Sequence, residues 1–417
     1  MAIKRILVNL NMELKRYKLG DVAKTGSGGT PKSTVAEYYE NGNIPWINSG
    51  ELNNPFISSA SNFITQKGYD NSSAKLFPPQ TVLLAMYGAT AGKASLLEFE
   101  ACTNQAICAI MPNQDILLPR FLKYKLDAMY NYLVGLSTGS ARDNLSQDGI
   151  KALELCIPPL SEQKKIASVL SALDDKITLN KKMNQKLEAM AKRLYDYWFV
   201  QYDFPDKNGY PYKTTGGPMT YNPTLKREIP VGWEVKSLFD CTDVLYGFPY
   251  ATEPFDEENL DTSTKPYPVI RIRDIKDNSI SAKTTEIVDD KYRTKVNDLL
   301  IGMDGYFHMS FWPRNDDYVN QRITRIRQKE LSVMVIYHQI APFIKFKEDQ
   351  AKGSTVGHLS DKDMKQINIL VPNNPQLSEK FDSILNLITK NKQEISRLTK
   401  LRDKLLPLLM NGQVVVG

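Results

Sequence analysis

The chain has 417 residues, of which 42% are hydrophobic and 24% charged, with a net charge of +6; this composition is typical of two or three folded domains and excludes a disordered or fibrous protein. Its four cysteines, Cys102, Cys108, Cys156 and Cys241, form no C-x-x-C pair, so we expect buried thiols in a reducing compartment. No run of about 18 apolar residues occurs, and the apolar run near the N-terminus is too short for a signal peptide, so we expect a soluble, cytoplasmic protein without a membrane partner.

Residues 1–158 are predicted to form a mixed α/β domain. Short apolar segments between loops rich in Ser, Asn and Gly favour strands, and a longer segment before the last strand favours a helix. The strand segments are YKLGDVAKT, GNIPWIN, TVLLAMYG, ACTNQAICAIMP and ALELCIPP, and the helical segment is PRFLKYKLDAMYNYLVGL.

Residues 159–200 are predicted to form one long helix with an apolar seam, because the segment Ser161–Phe199 contains no Gly or Pro. Its apolar residues follow the 3,4 spacing of a heptad. They are Ile166, Val169, Leu173, Met183, Leu187, Met190, Leu194 and Tyr197. At ~1.5 Å per residue the helix would span roughly 55 Å, which makes it a spacer between globular domains.

Residues 201–232 are rich in Pro, Gly and Tyr without a period, which is typical of a linker. From Trp233 the plan of the first domain restarts, so residues 233–373 are predicted to form a second copy. WEVKSLFDCTDVLYG corresponds to YKLGDVAKTGSG, YPVIRIRDI to IPWINSGEL, LLIGMDG to LLAMYG and VNQRITRI to TNQAICAI. The loops between these segments differ, so the two scaffolds are alike and their exposed surfaces are not.

A second long helix is predicted over residues 374–417. Its seam is Phe381, Ile384, Ile388, Ile395, Leu398, Leu405 and Leu409, and a shift of 215 positions superimposes it on the first seam. One helix cannot bury a narrow apolar stripe alone, so we predict that the two helices pair, antiparallel if a two-fold axis relates the halves. The alternative is that each helix packs on its own domain. Residues 160–200 and 375–417 each carry a net charge of +3, which accounts for the whole excess.

No pattern in the sequence indicates catalysis or a metal site. Gly88–Ala94 is one residue too short for a phosphate-binding loop and lacks its hydroxyl, so a strand followed by a tight turn explains it better. Asp274 with Asp256 or Asp261 matches a metal-dependent nuclease only weakly, and the three histidines lie at no metal-binding spacing.

Binding to nucleic acid is the function that the remaining polar side chains indicate. In the second domain, Arg271 and Arg273 alternate along a predicted strand, as do Arg325 and Arg327 with Arg322 nearby, so each pair would project from one sheet face. Such rows suit phosphates or guanine edges, although a solvated, salt-bridged face is the alternative. In the first domain, scattered side chains could contact DNA or merely cap turns. These candidates are Lys24, Thr30, Lys32, Asn48, Ser49, Asn104 and Gln105.

Two unlike copies of an α/β domain, each followed by a long helix, resemble the specificity subunit of Type I restriction-modification enzymes. The resemblance covers nearly the whole chain, and its most specific marks are the stretch Ile157–Ile177, GGTP at 28–31, IPWI at 44–47, NQAI at 104–107 and GSTVGHLS at 353–360. The second copy departs from the pattern, since it has VPNNPQLSEKF before its helix and lacks GGTP and IPWI.

The resemblance implies an α/β (α+β) fold with two tandem target recognition domains, a pseudo-two-fold internal repeat and two long antiparallel coiled-coil helices. Each domain would read one half of a bipartite, asymmetric site in double-stranded DNA, and the helices would set the gap and dock two methyltransferase subunits. Restriction/translocase subunits would complete the complex. S-adenosylmethionine, ATP and Mg would belong to those partners, so this chain is expected to be non-catalytic, without a cofactor or metal of its own. A protein-binding scaffold with a helical spacer and no sequence-specific DNA recognition is the alternative.

Overall fold

The computed structural model describes residues 7–8, 13–138, 145–251, 266–351 and 357–416. The chain divides into two compact units, residues 1–175 with 398–417 (unit 1) and residues 176–397 (unit 2). Each unit therefore contains part of both long helices, whereas the predicted boundaries lie at the helix ends. Positions 353–356 of the GSTVGHLS motif, Asp256 and Asp261 lie outside the described residues.

Unit 1 is built from two sheets and two further strand pairs. Its strands up to the first long helix are β1 (Leu7–Val8), β2 (Lys15–Lys18), β3 (Ala23–Ser27), β4 (Ile44–Ile47), β5 (Phe56–Ile57), β6 (Asn62–Ile64), β7 (Leu76–Phe77), β8 (Val82–Ala85), β9 (Ala94–Leu97), β10 (Ala101–Thr103), β11 (Ile107–Pro112) and β12 (Glu154–Ile157). The sheets have the orders β3-β11-β8-β9-β5 and β6-β4-β10-β7. β2 pairs with β12, and β1 with a strand at Val415–Val416.

Unit 2 repeats this strand plan. Its strands are β13 (Met219–Asn222), β14 (Arg227–Pro230), β15 (Glu234–Ser237), β16 (Thr242–Tyr246), β17 (Tyr267–Ile270), β18 (Ala282–Thr284), β19 (Leu299–Gly302), β20 (Met309–Phe311), β21 (Tyr318–Val319), β22 (Ile323–Gln328) and β23 (Asn368–Val371). The order β16-β22-β19-β20 matches β3-β11-β8-β9, and β18-β17-β21 matches β6-β4-β10. The predicted internal repeat is confirmed at the level of topology.

The two longest helices follow the same repeat as the strands. They are α1 (Leu19–Val22), α2 (Gln66–Asp70), α3 (Pro119–Ala128), α4 (Tyr130–Thr138), α5 (Gln147–Lys151), α6 (Leu160–Tyr195), α7 (Leu238–Cys241), α8 (Ile272–Ile275), α9 (Val333–Ala351), α10 (Asp361–Lys365) and α11 (Pro375–Met410). α6 and α11 both have 36 residues, and their first residues, 160 and 375, differ by the predicted 215 positions.

Two predicted strands are interrupted. YKLGDVAKT is not one strand, because α1 separates β2 from β3. ACTNQAICAIMP forms β10 and β11 with a turn at 104–106 between them, where Asn104 Oδ1 accepts a hydrogen bond from the Ala106 amide at 3.2 Å. In the first case a short helix, and in the second a polar turn, moves the second half of the segment into a different sheet. Gly88 and Gly92, with φ of 81° and 80°, form the tight turn between β8 and β9, as the non-nucleotide interpretation of Gly88–Ala94 requires.

In unit 1, the beginning of α6 packs against the end of α11. Ile166, Leu170 and Leu409 are buried in one core. Further along α6, Arg402 Nη1 donates a hydrogen bond of 2.8 Å to Asp174 Oδ1. Later residues of α6 meet earlier residues of α11, so the two helices are antiparallel here.

In unit 2, the remaining part of α6 packs against the beginning of α11 in the same sense. Asn391 Nδ2 donates to Asn184 Oδ1 at 2.8 Å, and Asn184 Nδ2 donates to the Ile388 carbonyl at 3.3 Å. Beyond this point, Leu187 and Leu194 pack against the core that contains Phe381. The predicted antiparallel coiled coil within an α/β fold is confirmed.

The predicted heptad seam is correct only in part. Met183 and Met190 are 43% and 49% exposed, whereas Asn180 and Asn184 are buried. A buried residue recurs every seven positions of α6, at Gln163, Leu170, Ile177, Asn184 and Ala191, so the heptad period is kept and the buried position lies one residue after Met183 and Met190. Of the other seam residues, Ile166, Phe381, Ile384, Ile388, Leu398 and Leu409 are buried, and Val169, Leu173, Leu187, Leu194, Tyr197, Ile395 and Leu405 are half-buried.

Candidate nucleic-acid interface

A parallel pair of strands organises the candidate site in each unit. In unit 1, β4 and β10 run parallel, and the amide of Asn104, just after β10, donates to the Ile47 carbonyl at 3.0 Å. In unit 2, β17 and β21 run parallel, and the amide of Asn320 donates to the Ile270 carbonyl at 3.3 Å. The Asn-Gln dipeptide of each repeat therefore lies at the carboxyl ends of two neighbouring strands.

In unit 1, these strand ends collect five of the seven predicted residues. Thr30 Oγ1 donates a hydrogen bond of 2.5 Å to Gln105 Oε1. Asn48 begins the 3₁₀ helix Ser49–Asn53 and accepts from the Gly50 amide at 2.9 Å, so its side chain caps a turn. Together with Asn104, these residues make a polar surface in which Thr30 and Gln105 are exposed.

The two predicted lysines of unit 1 are exposed, one on β3 and one in the loop that contains Thr30. Lys24 is exposed on β3, opposite Met111 on β11, and Lys32 is exposed in the loop after Thr30. In the described parts of the chain, no hydrogen bond or ion pair joins either lysine to the residues at the strand ends. Their role in DNA contact stays a prediction.

In unit 2, the corresponding strand ends form the floor of a cleft of ≈ 680 Å³. Its lining carries Arg271, Arg273 and Arg322, one carboxylate, and several aromatic and amide side chains. The other lining residues are Tyr250, Ile272, Asp304, Gly305, Tyr306, His308, Asn320 and Gln321. Among the described lining residues, the charged side chains are these three arginines and Asp304.

A polar cluster lies at one side of this cleft. Arg322 Nε lies 3.3 Å from Asp304 Oδ2, and His358 Nδ1 lies 2.6 Å from Asp304 Oδ1. Tyr306, which is 68% exposed, stacks on His308 with ring centroids 5.8 Å apart. Asp304 therefore holds Arg322 from one side, with a stacked aromatic pair in the same cleft.

The prediction that Arg271 and Arg273 alternate along a strand is wrong. β17 ends at Ile270, and Arg271 precedes helix α8. The Arg271 amide donates to Asp274 Oδ2 at 2.9 Å, so Asp274 caps the helix and ends the strand. Asp274 is 1% exposed and also accepts hydrogen bonds from Ser279 and Ser281, which gives it a structural role in place of the considered metal-ligand role.

The prediction that Arg325 projects from an open sheet face is also wrong. Arg325 and Arg327 do share one face of β22, but that face is covered. Arg325 is 1% exposed, with Nη2 at 2.9 Å from Asp243 Oδ2. Arg327 donates hydrogen bonds to both carboxylate oxygens of Asp298, at 2.8 and 2.7 Å. Burial alone would lower the pKa of Arg327, but the hydrogen bonds to Asp298 outweigh burial and raise it. Arg325 and Arg327 therefore form ion pairs inside the domain. Arg322, the residue before β22, lies in the cleft.

The two candidate sites are equivalent in backbone and different in side chains. A Cβ on Gly28 would lie 1.9 Å from the Thr103 carbonyl oxygen, and a Cβ on Gly247 would lie 2.1 Å from that of Asn320, so a loop passes closely over the strand ends in both units. The acidic residue that caps the turn after the strand also recurs, Glu51 in unit 1 and Asp274 in unit 2. The Asn-Gln dipeptide is common to both units, whereas Arg271 stands at the position of Asn48 and Arg322 at that of Ala106.

Sequence reasoning missed the cleft residues that follow β19, namely Asp304, Tyr306 and His308, as well as Tyr250 and His358. The correspondence of LLIGMDG with LLAMYG contained a signal, because it places Asp304 and Gly305 on a turn next to the Asn-Gln strand. The contacts themselves join residues far apart in the chain, which a local pattern does not reveal.

Comparison with known proteins agrees with the internal repeat. A family model described as the Type I restriction modification DNA specificity domain matches residues 11–189 and again residues 230–400. The chain belongs to the family of Type I restriction-modification specificity subunits. Among other specificity subunits, the MjaIX subunit of Methanocaldococcus jannaschii is 29% identical over 423 residues, covering 96% of this chain and 93% of the relative. The HindI subunit of Haemophilus influenzae is 22% identical over 475 residues, covering 96% and 99%.

A solved structure supports the fold of this specificity subunit. The S subunit of a Type I restriction-modification system from M. genitalium superimposes with a TM-score of 0.57 at 18% sequence identity, covering 96% of this chain and 97% of that chain. Within the described residues, no cluster of His, Cys, Asp and Glu has the geometry to hold a metal ion. The described helices also include none with the length and apolarity needed to cross a membrane.

Proposed function

We propose that this specificity subunit is non-catalytic and acts in the cytoplasm, where it recognises a bipartite, asymmetric site in double-stranded DNA. The observation that carries the proposal is the pair of equivalent polar sites at the strand ends of units 1 and 2. A repeated scaffold gives two readers of the same kind, and their different side chains give two different half-sites. A DNA site with two unlike halves matches this arrangement.

The chemistry of the two sites suits base edges. Asparagine and glutamine match adenine, and arginine matches guanine, because each can form two hydrogen bonds with that base in the major groove. Unit 1 presents Asn104 and Gln105, whereas unit 2 presents Asn320 and Gln321 with three arginines beside them. We therefore expect half-sites of different composition, with phosphate contacts fixing the register of each unit on the duplex.

The second part of the proposal concerns the partners. The α6 residues Leu179, Met183 and Met190 are 50%, 43% and 49% exposed, and their spacing places them on one side of the helix. Exposed apolar stripes of this kind are typical of protein interfaces, and methionine is enriched there. We propose that the long helices dock two methyltransferase subunits, with restriction/translocase subunits completing the complex. S-adenosylmethionine, ATP and Mg would be bound by those partners.

Single-molecule methylation profiling of genomic DNA tests this function. Cells would express the chain together with its methyltransferase partner, and a second strain would express the methyltransferase alone. We expect adenine methylation at one bipartite motif with a fixed gap in the first strain only. Identical methylation in both strains would contradict the DNA-specificity role and favour the scaffold alternative.

A further inference from the structure

We propose that Arg322, positioned by Asp304, reads a G·C base pair in the half-site bound by unit 2. This inference rests on the proposed function and names the base pair that the unit 2 cleft recognises. It starts from the chemistry of the cluster. The carboxylate approaches the guanidinium most closely through Nε, at 3.3 Å. A guanidinium has five N–H donors, so the terminal nitrogens can still engage a further acceptor.

Guanine fits this arrangement because it presents two acceptors, N7 and O6, in the major groove. Its partner cytosine presents an N4 amino group, for which a carboxylate is the matching acceptor. Arg322 and Asp304 side by side therefore offer donors and an acceptor in the pattern that a G·C pair requires. Phosphate fits less well, because the carboxylate of Asp304 would repel it.

Unit 1 shows that the fold does not need this pair of charges. The Met303 amide donates to the Arg322 carbonyl at 2.9 Å, and the Met86 amide donates to the Ala106 carbonyl at 2.8 Å. These equivalent hydrogen bonds place Arg322 at the position of Ala106, and Asp304 at the position of Tyr87.

The turn that follows supports the same correspondence. Gly305 has φ of 71° and Gly88, at the equivalent position, has φ of 81°. The same turn and strand junction thus form in unit 1 with an alanine and a tyrosine. Because the backbone forms equally well without them, the arginine and the carboxylate serve a purpose that belongs to unit 2 alone.

The exposure of the cluster suits recognition. The side chains of Arg322 and Asp304 are 54% and 27% exposed, so the arginine can reach a ligand while the carboxylate remains mostly covered. His358 occupies the other oxygen of Asp304, which restricts its rotation. An arginine restrained in this way loses less side-chain entropy on binding than a free one.

The first test uses the unmodified complex with its methyltransferase partner and needs no variant. Duplexes carrying the methylated motif would be prepared with 7-deazaguanine, which lacks the N7 acceptor, at each guanine in turn. We expect one guanine in one half-site at which binding weakens, on the order of 10-fold. Equal affinity for every substituted duplex would overturn the inference.

The second test links that guanine to Arg322. In the Arg322→Ala complex, the motif found by methylation profiling is expected to accept any base at that position, while the other half-site and the gap stay unchanged. In the binding assay, 7-deazaguanine at that position is expected to cause no further loss of affinity. Arg120→Ala is the matched control, because Arg120, on α3 of unit 1, forms an ion pair with Glu98 in which both side chains are 36% exposed. This control should retain the full motif.

Three results would overturn the inference in distinguishable ways. Relaxation at an A·T pair would mean that Arg322 reads a different base. An equal loss of affinity for cognate and scrambled duplexes, with a smaller salt dependence, would mean that Arg322 contacts a phosphate. A wild-type complex without any bipartite motif would remove the proposed function itself, and with it this inference.

Discussion

The buried carboxylate of Asp174 is expected to stabilise unit 1 strongly. Its side chain is 2% exposed and accepts two hydrogen bonds, from Tyr124 Oη at 2.7 Å and from Arg402 Nη1 at 2.8 Å. It thereby joins the helices α3, α6 and α11. Asp174→Ala would leave a buried hydroxyl without its acceptor and a partly buried guanidinium with one carboxylate fewer.

The size of the effect follows from these two partners. Removing one member of a buried ion pair destabilises a protein by about 3–5 kcal/mol. Arg402 also lies 2.8 Å from Asp403, whose side chain is 57% exposed, so the guanidinium keeps a solvated partner. We therefore expect the lower end, about 3 kcal/mol, which is roughly a 100-fold change in an opening equilibrium.

Hydrogen–deuterium exchange followed by mass spectrometry measures this effect locally. Amides of α3 are expected to exchange roughly 100-fold faster in the Asp174→Ala chain, while β19 and β22 of unit 2 serve as an internal reference. Asp175→Ala is the matched control, since Asp175 is the next residue on α6 and is exposed. Exchange in α3 that is no faster in Asp174→Ala than in Asp175→Ala would refute the reasoning.

Three further predictions concern pH, packing and assembly. Burial lowers the pKa of His338 to about 4, so the unfolded chain takes up a proton near pH 6.5 that the folded chain does not. The free energy of unfolding should therefore decrease as the pH falls from about 6.5 to 4. In urea titrations, His338→Phe should reduce this dependence of the free energy of unfolding on pH. Gly28→Ala should lower the melting temperature by several degrees in differential scanning calorimetry, because the new Cβ would lie 1.9 Å from a carbonyl oxygen of the neighbouring chain segment. Gly135→Ala should leave the melting temperature unchanged or raise it, because among the described residues outside its own helix no atom lies within 4 Å of the new Cβ. Met183→Glu places a charge in the exposed apolar stripe of α6 and should weaken co-purification with the methyltransferase at least 10-fold. Gln185→Glu, at an exposed polar position of the same helix, should not weaken it. Equal recovery of the methyltransferase by both variants would contradict the proposed docking surface.

The long helices and the repeat could be predicted because their signals are periodic and extended. Thirty-six residues without an internal glycine, with apolar side chains at helical spacing, leave few alternatives to α6. A shift of 215 positions then relates it to α11, and the antiparallel contacts within each unit follow from burying two such stripes. The inner face was harder to assign, since it includes the amide of Asn184, which is buried and accepts a hydrogen bond from Asn391.

The arginines of unit 2 show why the site could be predicted only in part. The alternation in YPVIRIRDI favours a strand, but a single capping hydrogen bond to Asp274 turns the chain after Ile270. The burial of Arg325 depends on Asp243, on the neighbouring strand β16, and on Asp298, just before β19. In the sequence the charge of Arg325 looks available for binding. In the fold it is neutralised by Asp243 and Asp298, which precede it by 82 and 27 positions.

The measurement that tests the central claim most directly is the methylation motif of a chimaera. Residues 233–373 would be replaced by the corresponding segment of the Methanocaldococcus jannaschii relative, with both long helices retained, and genomic methylation would be profiled with the same methyltransferase partner. If each repeat reads its own half of the site, one half of the motif changes while the other half and the gap stay the same. A motif that changes in both halves, or in neither, would contradict two independent readers in one chain.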